Sequence, residues 1–410
     1  MKTDIVILGA GIGGYETYRQ LKRRLDRHHI NKKITIVDKN NYLTFVPMLH
    51  EAAAGSIEPQ HCAIPLRELV HNTPHDFLKS CVKSIDPKNK RVVTDQETID
   101  YDYCVVALGS GTNYYGIKGA EEYSYHVRSL TGAMNLHHNM IDLLEHPNTR
   151  QLAIAIVGGG YTGVEVAGQF ADIVNDEICK LYPDIKASVS IIEGASALAG
   201  HMPKKIQDKL TTRLKQMKVA IYCGNSVKEV RKDPIILENK EKIPADITIW
   251  TAGFKNIADN FLPDEFTKRG RIPVTNHLTN KQNDHVYAVG DIMFLMEPNK
   301  EIPYPQLAEA AYHEGKFVAF DIVARYRKQK NTKSFVFKSK GTIMPVGNWY
   351  GILMIGKFIL SGRIAWWIRR IIYLFFMPGF IRKLNILVDW ILHGLGSRFI
   401  IEIDHHQRHK

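Results

Sequence analysis

Cysteine is scarce in this 410-residue chain, and what there is forms no pattern. Cys62, Cys81, Cys104, Cys179 and Cys223 never come closer than 19 residues, which leaves no disulfide framework, no CxxC pair and no zinc spacing. They read as small buried residues in a reducing compartment. Histidine pairs give no metal site either: His137 and His138 share one helical stretch without a second cluster, and His405, His406 and His409 sit in a polar tail. Long apolar runs are also missing. In the C-terminal region the uncharged stretch Ile371 to Ile381 has 11 residues and includes Pro378, and the longer one, Gly341 to Gly356, has 16 and contains Pro345 and three glycines besides Gly341, against the roughly 18 that a spanning helix needs.

Acids are absent from Gly341 to Asn385, where the six cations Lys357, Arg363, Arg369, Arg370, Arg382 and Lys383 stand. From Gly341 to Lys410 nine Lys or Arg face three acids, so this stretch carries +6 of the formal +12 and points to an anionic partner for the C-terminal part. Four of the five tryptophans, Trp349, Trp366, Trp367 and Trp390, also lie there. At 100° per residue Ile364, Trp367, Ile368, Ile371, Ile372 and Phe375 share one face and Arg363, Arg369, Arg370 and Tyr373 the other. After a break at Pro378 and Gly379, Leu384, Leu387, Val388 and Ile391 make a second apolar stripe opposite Arg382, Asn385, Asp389 and His393. Two basic amphipathic helices with interfacial tryptophans are expected to lie on an anionic lipid surface, with a dimer interface or core packing as the alternative. Removing this region after about Gly341 is expected to leave a soluble protein.

What the chain does have is a strand that runs into glycines. DIVILGAGIGGY, from Asp4 to Tyr15, reads as strand, tight turn and helix, with Gly9 for the turn, Gly11 clearing room for a pyrophosphate and Gly14 letting the helix pack on its strand. The apolar N-terminus is therefore this strand and not a secretory signal. A second strand, ITIVD, ends at Asp38, placed to accept ribose hydroxyls. The pattern recurs at QLAIAIVGGGYTGVEVAG, with Gly158, Gly160 and Gly163, followed by SVSIIE ending at Glu193. Two units imply two dinucleotides. Glu193 repels a 2′-phosphate, so NADH is preferred to NADPH.

NNYLTFVPMLHEAAAG reads as a loop leading into a ligand-facing segment. Strands near Phe77 to Ile85 and at Arg91 to Thr94 suggest an antiparallel excursion. CVVALGS forms a buried strand ending at Gly109. A helix over Arg128 to His146 is closed by Pro147. A further helix begins near Pro305, and Lys328 to Lys333 form a solvated linker.

Both glycine units, the ALG turn at Ala107 to Gly109, WTAG at Trp250 to Gly253 and VGD at Val289 to Asp291, in this order, make nearly the whole chain resemble the two-dinucleotide-domain flavoprotein reductases. The resemblance implies an α/β fold of two Rossmann-like dinucleotide-binding domains, the second inserted in the first. Residues 1–118 and 256–330 would bind FAD, 119–255 NADH, and 331–410 the membrane surface. It implies FAD contacts from Gly9, Ala10, Gly11, Gly13, Gly14, Asp38, Lys39, Pro47, Val82, Ala107, Gly109, Gly290, Asp291, Gln306 and Leu307. Gly158, Gly160, Gly163, Glu193 and Gly253 would serve NADH. Backbone N–H groups near Leu307 would meet the flavin N1/C2 end.

The redox-active CxxxxC of many members is missing from LTFVPMLHEAAAG, which excludes disulfide relay. Pro47, TGVEVAG and the aromatic basic C-terminus look like type II NADH:quinone oxidoreductases. That subfamily implies a membrane quinone as acceptor, no nucleic acid, a possible homodimer and a peripheral place on the cytoplasmic face of the inner membrane. Glu309 and His313 stand where the subfamily carries two glutamines; they are either a surface pair or an acceptor-site acid and base. Glu165, just inside the second helix, is either a helix-dipole partner or a carboxyl at the ring end. A sulfide:quinone reductase needs paired cysteines that this chain lacks. A signalling flavoprotein of the same fold stays open.

Overall fold

The computed structural model describes residues 1–298, 300, 302–329, 332–377 and 379–395, the last three without side chains. Expectations on Lys330, Asn331, Pro378, His405, His406, His409 and the His393 side chain lie outside the described residues. The chain forms two units: Met1–Phe45, Ile64–Gly111 and Phe254–Ser339 in one, Val46–Ala63, Thr112–Gly253 and Lys340–Lys410 in the other. The segment Val46–Ala63 and the C-terminal region thus both group with the second nucleotide turn, unlike the division read from sequence.

In the first unit the apolar runs give a buried sheet. Its path is Thr279–Asn280, Asn283–Ala288, Thr98–Val106, Lys2–Leu8, Ile34–Asp38 and Asp76–Lys79, parallel from the second strand on. Strands covered on both faces need no polar alternation, and Ile5, Val6, Ile7 and Leu8 are all fully buried. The antiparallel excursion is present as Val82–Asp86 paired with Arg91–Thr94, which pairs in turn with Thr98–Val106. The single run expected from Phe77 to Ile85 is two strands, because Asp76–Lys79 belongs to the parallel sheet and the chain turns before Val82. The helix expected from Pro305 starts at Ala308 and runs to Tyr326.

The second unit repeats the design. A five-stranded parallel sheet runs Ser124–Tyr125, Ile247–Trp250, Gln151–Val157, Lys186–Glu193, Ala220–Cys223. The helix Leu130–Glu145 opens on Ser129, whose side chain accepts from Gly132 N. The stretch read as a loop before AAAG holds a five-residue helix, Leu49–Ala53, buried along its whole length. Its polar residues His50 and Glu51 find partners inside the unit, as described below.

The C-terminal region begins with a three-stranded antiparallel sheet that periodicity did not reveal, Thr342–Pro345, Gly351–Ile355 and Phe358–Gly362. Two helices follow, Arg363–Phe376 and Phe380–Leu395. This sheet lies close to the helix Tyr161–Asp172: a Cβ on Gly168 would stand 2.4 Å from Gly347 N, so only glycine admits the approach.

Two of the cations expected at the lipid surface, both on the first of these helices, are inside instead. Arg369 is 1% and Arg370 4% exposed, while Ile371 is 66%, Phe375 78% and Phe380 80% exposed. A helix on the surface of a soluble protein buries its apolar stripe; these bury Arg369, Arg370 and Asp389 and present isoleucine, phenylalanine and leucine outward. The expectation that Arg369 and Arg370 face lipid is therefore corrected.

Cysteine also departs from expectation in part. Cys62 and Cys104 are buried, but Cys81 and Cys179 are exposed and Cys223 is half-buried. Cys81 precedes the strand at Val82 and Cys179 begins the last helical turn, Cys179–Leu181, positions that leave their thiols outside either core.

Candidate functional site

Each unit carries an open helix start. A Cβ on Gly14 would lie 2.0 Å from the Gly9 carbonyl oxygen, and one on Gly163 1.8 Å from that of Gly158, so strand and helix pack this tightly only with glycine. A Cβ on Gly11 or Gly160 would meet nothing within 4 Å, and no side chain caps either first turn. Open space before uncapped N–H groups, at the positive end of a helix, fits a pyrophosphate.

An acid closes each turn in the same way. Asp38 Oδ2 accepts from Ala10 N at 2.7 Å and Oδ1 from Asn40 N at 2.8 Å. Glu193 Oε2 accepts from Gly159 N at 2.6 Å and Oε1 from Ala195 N at 2.8 Å. A carboxylate oxygen accepts more than one hydrogen bond, which leaves capacity for ribose hydroxyls. Burial raises the Asp38 carboxyl above its ordinary value, against the pull of its two backbone donors.

Two side chains of the first unit converge on Asp291. Ser110 Oγ donates to Asp291 Oδ2 at 2.6 Å, and Gln306 Nε2 donates to the Asp291 carbonyl at 2.8 Å. Gly13 packs toward Val289, while Ala107 N donates to Leu8 O beside the turn at Gly109. Lys39 is exposed and Val82 pairs with Thr94. The Leu307 N–H is taken by Pro305 O at 3.0 Å, since a tight turn precedes the helix. First-turn N–H groups from Ala308 onward are the donors that the helix start offers instead.

Glu309 accepts from Ser339 Oγ at 3.0 Å, and His313 lies 6.0 Å from the Phe337 ring. Two acids on that helix are buried, Asp321 and their neighbour Glu314, and sequence reasoning missed Glu314. It accepts from Gly290 N at 2.6 Å, and burial, with Asp291 nearby, pushes its carboxyl up to about 8 against that hydrogen bond and Arg271.

In the second unit Gly253, at φ 74°, packs against Tyr115, whose hydroxyl would meet a Cβ at 2.0 Å. Glu165 leads to a cluster that no local pattern announces. The Leu49–Ala53 helix and the Arg363–Phe376 helix meet in a buried ion pair, Arg369 Nη1 donating to Glu51 Oε1 at 2.6 Å. Arg369 Nη2 donates to His50 Nε2 at 3.0 Å and to Pro47 O at 3.3 Å, and Trp390 Nε1 donates to Glu51 Oε2 at 3.1 Å. The Arg370 guanidinium lies over Trp366 at 3.8 Å and over Trp390 at 4.3 Å.

Glu165 Oε2 stands 4.0 Å from His50 Nδ1 and its side chain is 16% exposed. Burial raises the Glu165 carboxyl to about 7, opposed by Arg369 and assisted by Glu51. Burial alone would raise Glu51 too, yet Arg369, Arg370 and His50 hold it at about 2. Burial and then Arg369 push His50 down to about 3, so it is neutral. One carboxyl near neutrality thus sits beside one that stays charged, which is how acid and base roles separate in a polar site.

A family model described as pyridine nucleotide-disulphide oxidoreductase matches residues 3–315. The chain belongs to that family. This oxidoreductase is 27% identical to a probable NADH dehydrogenase of Dictyostelium discoideum, over 94% of its own length and 88% of the relative's. It is 25% identical to a type II NADH:quinone oxidoreductase of Staphylococcus saprophyticus, over 90% and 94%. Its fold is that of NDH2 from Plasmodium falciparum in complex with NADH, with a TM-score of 0.88 at 21% identity and 98% and 100% coverage. The sulfide:quinone oxidoreductase of Aquifex aeolicus has a similar fold, with a TM-score of 0.76 at 18% identity and 95% and 92% coverage. Unlike the family's name, this oxidoreductase has no disulfide among its described residues.

Proposed function

We propose that this oxidoreductase is a type II NADH:quinone oxidoreductase, with FAD in the first unit, NADH at the second and a membrane quinone as acceptor. The supporting observation is the pair of open, uncapped helix starts, each closed by an acid, in a chain whose relatives are named for NADH and quinone. Bound FAD supplies the two-electron chemistry between nicotinamide and quinone. The protein's own part is to hold the dinucleotides and to manage protons. Gly9, Gly11 and Gly14 admit the FAD pyrophosphate and Asp38 orients its ribose. Asp291, Gly290, Gln306 and the Ala308 helix start take the flavin side. Glu193 accepts the free 2′-hydroxyl of NADH. Glu165 holds a proton for quinone reduction, which consumes two.

The outward apolar faces of the two C-terminal helices lie on the bilayer. No helix among the described residues is long and apolar enough to cross a membrane. Trp367, Ile371, Phe375, Phe380, Ile381 and Leu384 are exposed, as are Ile355 and Phe358 at the tip of the preceding hairpin. Lys357 and Arg363 are exposed cations beside this surface and suit anionic headgroups. The surface in question is the cytoplasmic face of the inner membrane.

A sulfide:quinone activity would need a cysteine pair at the flavin and another in the C-terminal region; no cysteine follows Cys223. The proposal is tested by denaturing the purified protein and identifying the released nucleotide, then measuring oxidation of NADH with a water-soluble quinone. FAD and NADH-dependent quinone reduction are expected. Absence of FAD, or reduction driven by sulfide and not NADH, overturns the reading.

A further inference from the structure

The quinone-site carboxyl proposed above, Glu165, shares its unit with a buried three-residue relay that its own helix does not supply. Arg369 reaches Glu51 with one terminal nitrogen and His50 Nε2 with the other, at 2.6 and 3.0 Å. A guanidinium has donors and no acceptor, so the Nε2 facing it must be the imidazole lone pair. The ring proton of a neutral His50 is then on Nδ1, and Nδ1 is the nitrogen 4.0 Å from Glu165 Oε2. At that distance the pair is an oriented charge–dipole contact, tightened to a hydrogen bond by a small side-chain rotation.

We propose that Arg369, through His50, is the positioning element of the Glu165 proton site: it locks the imidazole with its N–H edge, not its lone pair, toward the Glu165 carboxyl. Three observations carry this. His50 is 4% exposed, so its ring has no solvent to turn into. Arg369 is itself fixed by Glu51, by Pro47 O and by stacking over the Tyr373 ring at 4.3 Å, and Glu51 is held from the other side by Trp390. The titratable and charged groups packed about Glu165 are therefore His50 and Glu51 from the Leu49–Ala53 helix and Arg369 and Tyr373 from the Arg363–Phe376 helix.

The consequence has a sign. An N–H dipole aimed at a carboxylate favours the charged form, whereas a lone pair aimed at it favours the protonated form. With the lock in place Glu165 gives up its proton more readily than burial alone allows, which keeps it near the operating pH of a proton relay. The C-terminal helix is thus part of the proton site's design as well as a lipid-facing element. The inference rests on the proposed role of Glu165, but not on any bound nucleotide.

The test is an infrared pH titration of the holoenzyme, following the protonated-carboxyl band that is lost in Glu165→Gln. In wild type this band is expected to titrate near neutrality. His50→Leu removes the dipole and should move the midpoint up by about one pH unit, a tenfold change in proton affinity. His50→Gln can accept from Arg369 and still donate toward Glu165, so its midpoint should stay with wild type. Arg369→Lys keeps the charge opposite Glu51 but cannot bridge Glu51, Pro47 and His50 together, so it should shift upward like His50→Leu. If His50→Leu does not fold, Arg369→Lys decides. An unshifted midpoint in the deciding variant, or a His50→Gln shift as large as that of His50→Leu, overturns the proposal. Flavin bleaching by NADH, recorded on the same wild-type sample, fails only if the enzymatic reading itself is wrong.

Discussion

Glu165 and Glu193 are two acids at the ends of one nucleotide unit, and their surroundings give them different work. Glu193 spends both oxygens on backbone donors of its own turn and is fixed in place. It should reject a 2′-phosphate, so kcat/KM for NADH is expected to exceed that for NADPH at least about tenfold, and Glu193→Gln should narrow the gap. Comparable rates with the two cofactors would remove this role. Glu165, raised from 4.5 to about 7, behaves differently. Its folded state binds the proton more tightly, so its contribution to stability is present below pH 4.5 and is lost as pH rises through about 7. Glu165→Gln should therefore match wild-type thermal stability near pH 5 and exceed it at pH 8. Quinone turnover should fall about tenfold or more and lose its limb near pH 7, with FAD content unchanged. Wild-type turnover and an unchanged pH profile would leave Glu165 a structural acid.

At this scale the sequence was legible where chemistry is tied to fixed spacing. Asp38 and Glu193 each follow their glycines through one helical run and one strand, and their carboxylates hydrogen-bond back to the glycine turns. His50, Glu51 and Arg369 were not legible, because His50 and Arg369 lie 319 residues apart and nothing local marks either as buried. Glu314 was missed for a subtler reason: it sits next to His313, and only its contact with Gly290 N distinguishes it from a surface acid.

The C-terminal helices show how periodicity can find two faces without saying which is inside. The apolar and basic stripes were both visible, but a soluble-protein rule would bury isoleucine and a lipid-surface reading would expose every arginine. Glu51 decided the matter, since a buried carboxylate needs the cation. The helix is therefore tied to the Leu49–Ala53 helix by a buried ion pair, which argues against the expectation that truncation near Gly341 leaves a soluble protein. Arg369→Ala is expected to cost about 3–5 kcal/mol by stranding Glu51, measured by denaturant unfolding, and Glu51→Gln in the same chain should recover much of the loss. A loss below 1 kcal/mol in the single variant would contradict the burial of the pair.

The second helix is held by another pair, His61 Nδ1 and Asp389 Oδ2 at 2.5 Å. The hydrogen bond to Asp389 raises the His61 pKa despite partial burial. The stability this pair adds is full below the ordinary histidine value of about 6.5 and is lost as pH rises through the raised one. Amide exchange in Phe380–Leu395 should speed up between pH 6 and 9 beyond the intrinsic base-catalysed increase, and His61→Gln should abolish the excess. An identical excess in the variant would show that this contact does not dock the helix.

For the whole molecule, the doubled glycine turn and the order of the later motifs made the tandem α/β architecture legible, since each motif ends a buried strand. The small sheet over Thr342–Pro345, Gly351–Ile355 and Phe358–Gly362 escaped because its strands are only four or five residues long, too short for a clear alternation. The proposed membrane attachment rests on the outward apolar surface, so high salt should strip the protein only partly from vesicles with anionic lipid, while Phe375→Asp with Phe380→Asp should release it. Complete release of wild type by salt would make the contact purely electrostatic. The central claim is electron passage from NADH through bound FAD to a quinone, and one anaerobic measurement addresses it most directly: the visible spectrum of the purified protein alone, after NADH, and after a quinone. The account predicts an oxidised flavin spectrum, rapid bleaching by NADH, and recovery of the oxidised spectrum when the quinone is added. A flavin that NADH does not bleach, or a bleached flavin that the quinone leaves reduced, would contradict it.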